Sequence, residues 1–116
     1  MYRELKVWQK SMDLVVKVYK LCDKLPKTEE YNLKSQIKRA IVSVPLNIAE
    51  GKCRYSSNDF AHFLNIANAS LTEVEVGLEI AARLGFIEDY NSVKNDITEL
   101  NKMLNALRIK IANNKK

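Results

Sequence analysis

Apolar residues recur at spacings of three and four in four successive segments of this chain, with turn residues between them. That period is helical, because residues three and four apart stack on one helix face. In the first segment Leu5, Trp8, Met12, Val15, Tyr19 and Cys22 form one stripe, and Val7, Leu14, Val18, Leu21 and Leu25 form another; Pro26 stops it. The second opens near Thr28, with Glu29 and Glu30 favourable in a first turn, and runs to about Arg54. Ser56 and Asp59, at capping-box spacing, start the third, which carries Phe60, Leu64, Ala67, Leu71, Val74, Leu78 and Ala81. Gly85 ends that helix, with Phe86 available for the contact beyond it. In the fourth, Tyr90, Val93, Ile97, Leu100, Leu104, Leu107 and Ile111 face inward, and Asn113 to Lys116 should fray. Short connections make neighbours antiparallel. The pattern predicts one all-α domain over residues 1–116, an up-down-up-down four-helix bundle with left-handed packing and helices at about 5–24, 28–54, 57–84 and 89–112.

Scarce glycine and proline, three and two residues, disfavour sandwiches and barrels. No apolar run approaches the roughly 18 residues of a membrane span, and the N-terminal Met-Tyr-Arg-Glu-Leu-Lys is no signal region, so a cytoplasmic protein is expected. Cys22 and Cys53 read as free thiols, and a single histidine leaves no zinc site and no His-based relay; no metal or cofactor is expected.

The stretch from Gln36 to Gly51 is unusual for a surface helix. Ile37, Ile41, Val44 and Ile48 share one face, and Val42, Leu46, Ala49 and Cys53 make a second apolar face behind it. Only Lys38, Pro45 and Lys52 are left for water, and Pro45 implies a kink. A helix apolar on two faces is covered on two faces, so the second is the expected homo-oligomer interface. Ser43, Asn47 and Glu50 run between them and are expected to face Ser70 and Glu73 of the third helix, with Arg39 or Arg54 neutralising the carboxylates. This set reads as a structural hydrogen-bond network ahead of a ligand pocket, because buried polar groups need partners. Two carboxylates alone, without a Gly-rich loop or a nucleophile motif, do not make an enzyme, and His62 belongs to a wet face.

The chain carries a formal charge of +5, unevenly spread. Residues 56–86 hold Asp59, Glu73, Glu75 and Glu79 against Arg83, whereas the other segments are basic. Arg3, Lys6, Lys10, Lys17 and Lys24 share a face of the first helix, with Lys20 at its edge and Asp13 interrupting it. Such a stripe binds phosphates without reading sequence, or it is simply solvated.

The blocks Leu5-Lys-Val-Trp-Gln-Lys10, Val18-Tyr19, Ser43-Val-Pro-Leu-Asn-Ile-Ala-Glu-Gly51, Phe63-Leu-Asn-Ile-Ala67, Ser70-Leu-Thr-Glu73 and Leu84-Gly-Phe-Ile87 occur in one order. In this the chain resembles the bacterial four-helix bundle proteins encoded in intervening sequences of large-subunit ribosomal RNA genes, over about residues 4 to 110. It is similar also to the accessory protein of diversity-generating retroelements. The resemblance implies no enzyme activity, a homo-oligomer that is often a ring, nucleic-acid association, and a protein partner such as a reverse transcriptase. Ala69 and Val76 depart from the family, which often has Gly and Thr there, and bear on close helix approach and on one polar contact. The expected function is a non-catalytic homo-oligomeric module that associates with RNA or DNA through basic surfaces. The alternative is an interaction scaffold that binds no nucleic acid.

Overall fold

The computed structural model describes residues 1–113, so the expectation for the end of the chain lies, past Asn113, outside the described residues. Four helices fill them: α1 (Lys6–Cys22), α2 (Leu33–Lys52), α3 (Ser57–Arg83) and α4 (Asn91–Asn113). Short 3-10 turns at Tyr2–Glu4 and Lys27–Glu29 precede α1 and α2. Each helix packs on its sequence neighbours, and α1 also packs on α4, giving a bundle 50 × 24 × 20 Å. Cross-helix contacts set the directions. Ile37 meets Gly77 while Gly51 meets Phe63, so α2 and α3 run antiparallel. Asn68 bonds Asn101 and Asn105 while Glu79 bonds Tyr90, so α3 and α4 do too.

The ends follow local chemistry. Ser56 Oγ accepts the Asp59 N–H at 3.0 Å and caps α3. At the other end Gly85 takes φ +81°, which an L side chain resists, and donates to the Ala82 carbonyl while Phe86 donates to that of Ala81. That bonding pair is a Schellman stop. The second helix starts later than expected. Thr28 lies inside the 3-10 turn, and the Leu33 N–H is received by the Glu29 carboxylate at 3.3 Å, so α2 begins at Leu33.

Ile37, Ile41, Val44 and Ile48 are buried as expected, together with the stripe from Leu64 to Ala81 on α3 and Val93, Ile97, Leu100 and Leu104 on α4. Two placements are corrected. On α1 the stripe of Val7, Leu14, Val18 and Leu21 is the core face; Met12 and Tyr19, 41% and 38% exposed, lie at the rim. Pro45 is buried, and α2 runs through it unbroken. With α1 and α3 packed on its sides, the helix shows water Gln36, Arg39, Leu46 and Glu50 along with the expected Lys52, while Lys38 is half-buried. The closest approach of α2 to α3 uses Gly51 and Gly77: a Cβ would stand 2.7 Å from Phe63 Cβ at the first and 2.6 Å from Ile37 Cγ1 at the second. Ala69 and Val76 are exposed, so neither departure from the family pattern touches this contact.

Candidate nucleic-acid interface

α1 presents its basic side chains along the seam with α4, and α4 answers with carboxylates. Lys17 Nζ donates to Asp96 at 2.6 Å; Lys10 Nζ lies 2.6 Å from Glu99 and 3.5 Å from Asp96. The hydrogen bond to Glu99, with Asp96 beside it, holds the Lys10 ammonium above its ordinary pKa. The expected track is therefore not uniform: Lys10 and Lys17 tie α1 to α4. Arg3 is not on the helix either, and Lys24 follows its end at Cys22. Arg3 sits in the preceding 3-10 turn, its guanidinium 5.6 Å from the Tyr2 ring and 5.9 Å from the Trp8 ring. Lys6, Lys20 and Lys24 are exposed and make no ion pair among the described residues. Lys17, Lys20 and Lys24 line a shallow cavity with Tyr90, Asn91 and Ser92 at the start of α4. Sequence reasoning missed Asp96 and Glu99 as partners. The signal was present in the sequence, in acids three apart on the fourth helix, but not the fact that this helix lies beside the lysine row.

The Lys17 hydrogen bond holds the Asp96 carboxyl below its ordinary range, and Lys10 adds to the effect. A carboxylate lowered in the folded state takes up its proton at lower pH than the unfolded chain does. The stability it supplies is full above the ordinary carboxylate pKa and is lost as pH falls through the folded value. Asp96→Asn should thus be less stable than the parent near about pH 7, with the gap closing towards about pH 2. Denaturant melts at both pH values check this; a constant gap contradicts it. Glu79 behaves in the same sense, lowered by the Tyr90 hydroxyl and by Arg83, while that bond raises Tyr90 to about 12.

The expected polar network forms only in its uncharged part. The Ser43 and Ser70 hydroxyls are 2.9 Å apart, and Asn47 Nδ2 donates to both the carbonyl and Oγ of Ser43 at 2.8 Å. Glu50 instead pairs with Arg54 at 2.8 Å, both side chains about half exposed, a helix-surface pair of small worth. Arg39 and Glu73 are exposed and join no hydrogen bond or ion pair among the described residues. The charged members can reach water, so nothing draws them into the α2–α3 contact. A network not foreseen ties α3 to α4: Asn101 Nδ2 donates to Asn68, Asn68 to Asn105, and Asn105 back to Asn101, at 2.6, 3.3 and 3.3 Å.

The second apolar face of α2 is open. Leu46 is 63% exposed and Cys53 is exposed, while Val42 and Ala49 are half-buried. Tyr19 of α1 extends the face, at 38% exposed. His62 is exposed, edge-on to Phe63. Among the described residues no three His, Cys, Asp or Glu come together as a metal site, and no described helix is long and apolar enough to cross a membrane.

Among curated proteins none matches this chain. A solved structure of a protein of unknown function from the S23 ribosomal protein family of Bacteroides thetaiotaomicron is 34% identical, with a TM-score of 0.81 over 88% of this chain and 97% of that one. Residues 3–106 match the family described as 23S rRNA-intervening sequence protein. With that match spanning most of the bundle, the chain belongs to the 23S rRNA-intervening sequence protein family.

Proposed function

We propose that this protein is a non-catalytic, self-associating cytoplasmic module that holds RNA or DNA through the basic side of α1. The observation that carries the reading is a row of exposed cations that make no ion pair among the described residues, Lys6 and Lys20 on α1 and Lys24 just past its end, on a chain of charge +5. The family's connection with 23S rRNA intervening sequences supports an RNA context. Aromatic rings do not alternate with these lysines, so contact is with phosphates and not by base stacking. Self-association is supported by Leu46 and its apolar neighbours, too greasy a face for a stable monomer.

Each phosphate neutralised contributes about −0.9 to the slope of log affinity against log salt on duplex DNA. Replacing Lys6, Lys20 and Lys24 with Gln should flatten the slope by roughly 2–3 and lower affinity, with the helical signal unchanged. A triple variant with the parent's affinity and slope sinks this assignment. A second reading, an interaction scaffold serving a protein partner such as a reverse transcriptase, is favoured by the Lys10 and Lys17 ion pairs, which use basic charge for folding. It requires that the parent bind no nucleic acid near physiological salt.

A further inference from the structure

Among the described residues two apolar faces are uncovered, one beside Lys38 and Arg39 and the other beside more carboxylates than cations. One is the α1–α2 seam, a concave strip lined by Tyr19, Val42 and Leu46 together with Lys38 and Arg39. The other is the outer edge of α3, where Val76, Ile80 and Leu84 stand on successive turns at 53%, 44% and 59% exposed. Glu73 flanks that edge in the groove towards α2, and Glu75 flanks it towards α4, where Arg83 and Lys94 also line the groove. Glu79 is already engaged by Arg83 and Tyr90, but Glu73 and Glu75 make no ion pair among the described residues. On the seam Arg39 likewise has none, and Lys38 lies 4.8 Å over the Tyr19 ring.

Seam against seam would bring Lys38 and Arg39 of two copies together, and edge against edge would oppose their carboxylates. Like charges placed across a contact are penalised, and opposite charges steer the encounter. A convex apolar ridge with acidic flanks fits a concave apolar strip with basic ones. We infer that the α3 edge of one copy docks in the α1–α2 seam of a second copy, with Glu73 and Glu75 opposite Arg39 and Lys38. The contact joins unlike faces of the two copies. It rests on the self-association proposed above and names the surface that covers Leu46. It also gives Arg39 and Glu73, which the intrachain network leaves aside, partners between chains.

Leu46→Glu spoils the seam and leaves the edge intact; Ile80→Lys does the reverse. Both positions are exposed, so the fold should tolerate them, which circular dichroism of each variant checks. In light scattering at micromolar concentration each variant alone should be monomeric, and an equimolar mixture should recover a 1:1 complex. Ile80→Lys associating as the parent does would mean that seam pairs with seam, and Leu46→Glu doing so would mean that the seam is not used; either overturns the inference while self-association stands. A mixture that stays monomeric overturns it too. A parent that is itself monomeric removes the self-association reading along with it. Arg39→Glu and Glu73→Lys form a second pair, in which mixing should restore an association that each variant alone has weakened.

Discussion

Gly77→Val is expected to destabilise the bundle by roughly 1–3 kcal/mol, the usual cost of overpacking a close contact. Two effects compete. An alkyl side chain in place of glycine gains helix propensity, less than about 1 kcal/mol. Against that, even a bare Cβ would stand 2.6 Å from Ile37 Cγ1, an atom in the middle of a side chain that is 1% exposed. Ile37 is held in the core, so α2 and α3 must part or the isoleucine must leave its rotamer. The clash wins. Ile37→Ala alone should cost about 2–5 kcal/mol through the cavity it leaves. Together the two changes should cost less than their sum, because the valine fills space that the isoleucine vacates. Denaturant melts of the three variants measure this. Strict additivity would mean that the two residues do not touch.

Leu104→Ala should cost about 2–5 kcal/mol, and Ile109→Ala less than about 0.5, although both shorten an aliphatic side chain on α4. Leu104 is 1% exposed within the core and Ile109 is 52% exposed. The difference is the number of neighbours that lose contact and the inability of a close-packed core to collapse onto the hole. Thermal melts of the pair compare them directly. Similar losses at both sites would place Ile109 under cover that the single chain does not provide.

The bundle was legible because period and burial agree wherever a stripe is purely apolar. From Leu64 to Ala81 each apolar residue at three-and-four spacing is buried where the pattern puts it. The reading failed where two apolar stripes compete for one core. On α1 the sequence alone does not rank the stripe of Met12 and Tyr19 against that of Leu14 and Val18; the positions of α2 and α4 decide. Pro45 misled for a related reason. Its missing N–H marks it as a helix breaker, yet its ring is an apolar body, and on a helix covered on both sides the ring is buried. The charged half of the polar network failed because helical spacing gives direction and not depth: Ser43 and Glu50 fall on one stripe, but Glu50 is long enough to reach water and Arg54. The lysine row was visible, whereas its neutralisation by Asp96 and Glu99 belongs to another helix and emerges only when α1 and α4 meet.

That meeting has a consequence for any polyanion. The α1–α4 seam joins residues 79 positions apart and is held at its surface by Lys10, Lys17, Asp96 and Glu99. A phosphate approaching α1 finds two of the lysines already holding a tethered counter-anion, at an effective concentration set by the fold. Binding there would exchange one anion for another and would release carboxylates that tie the first helix to the last. Added salt weakens the incoming phosphate and the resident carboxylates alike, so this part of the surface contributes less to the salt dependence than its number of lysines would give. Any polyanion on this side of α1 would thus compete with the fourth helix for Lys10 and Lys17.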